Sequence, residues 1–254
     1  MSEEVQVAVA DGIMTVTINR PAARNAVNRA VAFGIGDAMK ALDEDASIHA
    51  AIITGASGTF CSGMDLKAFV SGELPIVPGR GFAGIAEAPP SKPLIAAVEG
   101  FALAGGFEIA ICCDLIVSAD NAKFGIPEVK RGLAAGAGGL VRLPRQIPRR
   151  VAMELAITGD FISAQRAYEL GLINRIVPAG QALEAATALA RTIAANGPIA
   201  VKASKQIIEQ SQDWPHGDAI PRQQPFLDAV FRSSDAIEGA RAFAEKRAPV
   251  WKGK

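Results

Sequence analysis

Apolar residues alternate with others at Val5, Val7 and Val9, and again at Met14, Val16 and Ile18, with Asp11-Gly12 between the two runs. A side-chain period of two on either side of an Asp-Gly turn predicts a β-hairpin. The spacing then becomes helical: Val27, Val31, Ile35, Met39 and Leu42 predict an amphipathic helix over about residues 26–43. Short apolar runs at 50–54 and 94–98 predict buried strands, and 115–118 and 173–177 read as further strands. A short helix is expected from Asp65 to Val70 and another from Phe107 to Cys113, with a turn over Gly100 to Gly106. Residues 71–93 are rich in Gly and Pro and predict a mobile loop with a helical piece. Helices follow at about 139–143, 148–157 and 164–170, the last between a Ser163 N-cap and a Gly171 stop. The remainder reads as helix at about 181–195, 199–212, 224–231 and 236–246. Strands and helices alternate to about residue 178 and only helices come after, which implies an α/β core with a helical appendage. We divide the chain into residues 1–196 and 197–254 on that basis.

Composition narrows the class. Of 254 residues half are hydrophobic and a fifth charged, enough for a sizeable globular core. Twenty-six basic residues balance twenty-six acidic ones, so no strong attraction to nucleic acid or to an anionic membrane is expected. The cysteines are Cys61, Cys112 and Cys113; an odd count with two adjacent, and only His49 and His216 as companions, argues for reduced thiols and against zinc. The acidic start Met-Ser-Glu-Glu has no long apolar stretch behind it, so neither a signal peptide nor a membrane span is expected and the cytoplasm is the expected location.

The candidate chemistry begins with Glu108, a carboxylate inside the apolar run Phe107 to Cys113. Taking an ionised carboxylate out of water is costly unless it is paired or used. Gly105-Gly106 precedes it, where glycine lets a backbone approach a ligand and the first amides of a helix lack partners. The Gly105 amide is therefore a candidate oxyanion donor. Glu128, after the Pro-fixed stretch Phe124-Gly-Ile-Pro127, is a second carboxylate in an apolar setting, and two such groups can divide acid and base roles. The loop Phe60 to Lys67 enters a helix and offers a second free amide at Met64. Blander readings stand beside these: Glu108 as a turn cap, Glu128 as a solvated acid beside Lys130 and Arg131, Asp65 as a helix cap. Gly136-Ala-Gly-Gly139 lacks the strand and acidic partner of a dinucleotide loop and reads as packing.

The chain resembles the enoyl-CoA hydratase/isomerase (crotonase) superfamily. The resemblance is carried by Ile18-Asn-Arg-Pro-Ala-Ala-Arg-Asn-Ala26, Ser62-Gly-Met-Asp-Leu66, Ala97-Val-Glu-Gly-Phe-Ala-Leu-Ala-Gly-Gly-Phe-Glu108, Ala122-Lys-Phe-Gly-Ile-Pro-Glu128, Gly136-Ala-Gly-Gly139, Leu155-Ala-Ile-Thr-Gly-Asp160 and Phe243-Ala-Glu-Lys-Arg247, in that order. It implies a crotonase-like spiral of ββα units, with a C-terminal helical region that assembles trimers, often paired into hexamers. It implies an acyl-CoA substrate, coenzyme A being part of the substrate, and no separate cofactor or metal. The thioester oxygen would sit between the amides of Met64 and Gly105, Met64 departing from the small residue common at that place. Glu108 would activate water and Glu128 exchange a proton with the α-carbon. Ala23, Arg24 and Ala26 would run along the CoA, Lys67 would lie near the start of the substrate-binding helix, and Phe231, Phe243 and Lys246 would cover CoA, sometimes from a neighbouring subunit. Retention of both glutamates favours hydration of a trans-2-enoyl-CoA. The alternatives are double-bond isomerisation on the same scaffold and a non-catalytic acyl-CoA-binding protein, with a nicotinamide-dependent enzyme a distant third. Straight, branched, sterol and carnitine-type acyl groups all fit the sequence.

Overall fold

The structure, a computed structural model, describes residues 3–254. The chain opens with the expected hairpin, β1 (Val5–Ala10) and β2 (Ile13–Ile18), paired antiparallel about a turn in which Asp11 and Gly12 both take positive φ. Helix α1 (Arg29–Glu44) starts three residues later than the apolar period suggests, because the Asn28 side chain accepts from the Val31 amide and caps it there. Val27 is thereby left outside the helix, and its amide donates to the Gly63 carbonyl. Next come β3 (Ala50–Gly55) and the short α2 (Leu66–Val70), capped by Asp65, which accepts from the Lys67 and Ala68 amides.

Residues 71–93 differ from expectation, since they contain no helix. They fold as a two-residue hairpin, β4 (Ile76–Val77) and β5 (Gly81–Phe82), and then as turns wrapped round Arg80, whose guanidinium donates to the Gly84 and Ala88 carbonyls. Gly84 takes positive φ and lies against α1, so closely that an added Cβ would meet the Ala32 carbonyl oxygen at 2.5 Å. Side-chain-to-backbone bonds of this kind replace the regular pattern that so many Gly and Pro residues preclude.

The spiral follows. β6 (Leu94–Val98), β7 (Phe101–Leu103) and α3 (Gly105–Cys112) form one turn; β8 (Leu115–Ala119), β9 (Lys123–Gly125), α4 (Gly139–Gln146) and α5 (Arg149–Thr158) form the next. β10 (Ile162–Ser163), α6 (Ala164–Glu169) and β11 (Arg175–Val177) close it. Each turn gives one strand to a six-stranded sheet, ordered β1-β2-β3-β6-β8-β11 and parallel beyond β2, and one to a three-stranded sheet, β10-β9-β7. The strands of the small sheet are two or three residues long, too short for a periodicity to announce them.

The inner parallel strands β3, β6 and β8 are covered on both faces, which is why they read as nearly continuous apolar runs. Ile13, Ala50, Ile52, Ile95, Ala97 and Val117 face α7 (Ala182–Ala194), which packs through the small side chains of Ala182, Ala186 and Ala190. The alternate residues Val16, Ala51, Ile53 and Ala96 join the main core with α1 and the all-buried α3. Helices α8 (Pro198–Ser211), α9 (Ala219–Phe231) and α10 (Ser234–Ala244) end the chain, α9 lying between the other two. Among the described residues, no helix is long and apolar enough to cross a membrane.

Candidate active site

The segment 61–64 runs parallel to β7. The Cys61 amide donates to the Phe101 carbonyl, the Leu103 amide donates to the Cys61 carbonyl, and Cys61 bridges Ala102. Gly63 has φ +103°, and a Cβ there would lie 2.7 Å from the Ala104 Cβ and 3.2 Å from the Gly105 nitrogen. The peptides that present the Met64 and Gly105 amides are therefore side by side. Among the described residues, neither amide meets an acceptor. Ala104, which caps α3, has φ 51° and ψ −130°, a conformation that costs a non-glycine residue on the order of 1–3 kcal/mol. That strained turn aims the first amide of α3 out of the small sheet and into the cleft, at the positive end of the helix.

Glu108 stands one turn into α3 and is only 4% exposed. Its Oε1 accepts from the Ala137 amide at 2.7 Å and from the Gly139 amide at 2.8 Å, and no protein donor among the described residues takes Oε2. Burial pushes the carboxyl above its ordinary range, while these two amides and the Arg142 guanidinium oppose the shift. The glycine-rich stretch before α4 is thus more than packing filler, correcting the expectation from sequence. It wraps the carboxylate closely enough that a Cβ on Gly139 would lie 2.9 Å from Glu108 Oε1.

Glu128 lies in a single turn of tight helix over Pro127–Arg131, entered through Pro127. It is half-buried, and its Oε2 is buried without a hydrogen-bond partner. Burial pushes its carboxyl up to about 7; its own amide opposes this, the Glu108 charge adds to it, and Arg131 opposes it. Lys130 turns away to pair with Asp160 at 2.7 Å, so the reading of Glu128 as a solvated acid beside Lys130 fails.

Both glutamates, Met64 and Gly105 line one cleft of about 1120 Å³, together with Ala23, Arg24, Ala26 and Lys67. Leu74, Pro75, Ile76, Phe82, Leu133 and Phe161 give it an apolar wall. Phe82 lies so close over Gly105 that an added Cβ would collide with its ring. Asp65 serves as a structural group. Burial works against its ionisation, but Arg20 and the Ala68 and Lys67 amides outweigh that and hold its pKa low. Arg20 joins Asp65 at 3.0 Å and Glu4 at 3.0 Å and donates to the Ala26 carbonyl, which ties the 20–26 loop to the start of α2. Asn25, fully buried beneath that loop, accepts from the Arg20 amide and donates to the Ala56 and Thr59 carbonyls.

Phe231, Phe243 and Lys246 are not brought to this cleft within the chain. Phe231 ends α9, and Phe243 lies in the last turn of α10 with Lys246 just beyond; the phenylalanines are 69% and 88% exposed. These helices pack on one another instead of folding over the cleft.

The comparisons with known proteins agree with this architecture. The enoyl-CoA hydratase/isomerase family model matches residues 8–254. Carnitinyl-CoA dehydratase of Salmonella typhi is 40% identical over 266 residues, covering 100% of both chains. Among solved structures, enoyl-CoA hydratase from Mycobacterium tuberculosis H37Rv is 57% identical with a TM-score of 0.98, and carnitinyl-CoA hydratase from Mycobacterium avium is 44% identical with a TM-score of 0.80, each covering 100% of both chains. The spiral is the crotonase fold that the sequence led us to expect. With two adjacent free amides beside one buried and one half-buried glutamate, and likeness running the length of the chain, the protein belongs to the enoyl-CoA hydratase/isomerase family.

Proposed function

We propose that the chain is an enoyl-CoA hydratase, adding water reversibly across the 2,3 double bond of a trans-2-enoyl-CoA. The observation that carries the reading is that Glu108 and Glu128 face one cleft, Glu108 with two backbone amides on one oxygen and Glu128 with a buried oxygen that has no partner. Two amides hold Oε1 of Glu108 and favour its ionised form, while Oε2 is left for water. Glu128, with an unpartnered buried oxygen and a pKa of about 7, keeps its proton through much of the neutral range.

The reaction then balances without further groups. Oε2 of Glu108 takes a proton from water, the oxygen bonds to C3, and the π electrons of the 2,3 bond move towards the thioester carbonyl. The Met64 and Gly105 amides stabilise the enolate oxygen, a contribution of about 3–4 kcal/mol per donor in comparable sites. Glu128 gives its proton to C2, and exchange with solvent returns the two carboxyls to their starting states. Arg24 and Lys67, both exposed on the wall, supply positive charge for CoA phosphates.

An uncharged acyl chain suits the cleft best. Its wall beside Gly105 is Phe82, with Leu74, Ile76 and Leu133 nearby in the lining, and the only other carboxylate there, Asp65, is committed to Arg20. A quaternary ammonium such as that of a carnitine-derived acyl group meets no further counter-charge. The same reading has the chain assemble as a trimer or hexamer, supported by the exposed Ile220, Phe231, Ile237 and Phe243 of α9 and α10. Assaying straight enoyl-CoAs of increasing length beside carnitinyl-CoA, with Glu108→Gln and Glu128→Gln as controls, tests the proposal. We expect 3-hydroxyacyl-CoA product, a preference for uncharged chains, and a loss of at least about a hundredfold in each variant. A product in which the double bond has only moved, or near-normal turnover in either variant, refutes it.

A further inference from the structure

Behind the wall that holds Glu108 lies a second cavity, of about 1020 Å³, between α3, α4 and α8. One side chain sits in the partition between the two cavities. Arg142, half-buried on α4, donates through Nη2 to the Ala86 carbonyl at 2.6 Å and through Nη1 to the Ala137 carbonyl at 3.3 Å. Ala137 is the residue whose amide holds Glu108. Ala86 closes the turn that begins at Phe82, its amide donating to the Phe82 carbonyl at 3.1 Å, and Phe82 is the ring laid over Gly105. Gly138 makes room for this arrangement, because any side chain there would occupy the position of the Arg142 guanidinium.

We propose that Arg142 is a positioning residue for hydration, its guanidinium clamping the Phe82–Ala86 turn to the Ala137–Gly139 loop so that the water-activating carboxylate and the wall of the oxyanion hole keep one relative geometry. A planar fork of donors can span two carbonyls in this way, whereas an ammonium acts as a single point. Arg142 also places a positive charge near Glu108 that favours its ionised form. The other charged or titratable groups around Glu108 are Glu128 across the cleft and Cys112 one turn along α3, with Glu209 and Lys205 of α8 behind Arg142. Lys205 is committed to Asp114 at 2.7 Å.

The inference rests on the hydration proposed above, and the test separates the two. Arg142→Gln and Arg142→Lys are compared with wild type for kcat, KM, the pH profile of kcat/KM, and thermal unfolding. In Arg142→Gln we expect kcat to fall about tenfold to a hundredfold with KM within about threefold, as for a misplaced catalytic group. The acid limb of the profile moves to higher pH, because the charge that favoured ionised Glu108 is gone. Arg142→Lys keeps the acid limb in place but loses kcat, since it cannot hold both carbonyls. Wild-type kcat and acid limb in folded Arg142→Gln overturn the proposal. If that variant does not fold, wild-type kcat in Arg142→Lys overturns it. If wild-type enzyme hydrates no enoyl-CoA, the functional reading falls and this inference with it; if it does hydrate one, only the inference is at stake.

Discussion

The amide of Ala137 donates to Oε1 of Glu108 at 2.7 Å, across 29 positions of the chain. With the Gly139 amide at 2.8 Å on the same oxygen, the carboxylate is fixed in rotation and presents only its other oxygen to the cleft. A loop of Gly and Ala with no reactive side chain of its own therefore sets which atom of the buried acid is left to the cleft.

Gly139→Ala tests that relationship. The new methyl would lie 2.9 Å from Glu108 Oε1 and 3.1 Å from its Cγ, so the carboxylate must turn. We expect kcat to fall about a hundredfold, within the range of a displaced acid–base group, with CoA affinity little changed. Steady-state kinetics alongside binding of CoA by calorimetry read the two separately.

Gly105→Ala attacks the other half of the site by driving a methyl into the Phe82 ring. Losing one oxyanion donor lowers kcat by about 10²–10³-fold. Pairing it with Phe82→Leu returns part of the rate, because the collision is with the far end of one side chain. A double-mutant cycle with no recovery contradicts this account of the loss.

The pH dependence follows from Glu128. In the proposed hydration Glu128 gives its proton to C2, so kcat/KM is expected to fall as pH rises through about 7. Stability follows the same sign. A carboxyl whose folded pKa lies above its unfolded value binds protons more tightly when folded, so its contribution is complete below the unfolded value of 4.5 and is lost as pH rises through about 7. Urea unfolding at pH 5 and pH 8 should show this loss in wild type and a smaller loss in Glu128→Gln.

Asn25→Ala should destabilise the fold by about 2–4 kcal/mol, since it leaves buried backbone groups of Arg20, Ala56 and Thr59 without partners. Denaturant midpoints measure it. The accompanying loss of activity should exceed the unfolded fraction, because the 20–26 loop lines the cleft.

Much of this was legible beforehand, for reasons that differ from residue to residue. Glu108 stood out because a carboxylate in a run such as Phe107-Glu-Ile-Ala-Ile111 is costly to take out of water unless it is paired or used. The large sheet was legible in two ways: β1 and β2 alternate about an Asp-Gly turn, and β3, β6 and β8, covered on both faces, read as nearly continuous apolar runs. The small sheet was not, because Phe101–Leu103 and Lys123–Gly125 are held by pairing between distant segments rather than by any local period. Val27 joined the helical spacing of α1 yet pairs with Met64, since capping by Asn28 outweighs periodicity at a helix end. Arg142 was not legible, because the carbonyls it joins are 51 positions apart, 86 and 137, and nothing nearby marks either. The signal for the Glu108 cradle was present in Gly136-Ala-Gly-Gly139, but glycines that permit packing and glycines that expose amides read alike in one dimension.

The parallel alignment of residues 61–64 with β7 has a consequence for how this protein can change. The two donors proposed to polarise the electrophile belong to the main chain, so no single-codon substitution erases either of them short of inserting bulk or proline. The proposed proton handling, by contrast, resides in two side groups that a single nucleotide change can replace. Under the proposed function, a lineage built on this chain can thus exchange one reaction of a stabilised enolate for another while keeping intact the part that makes enolates accessible.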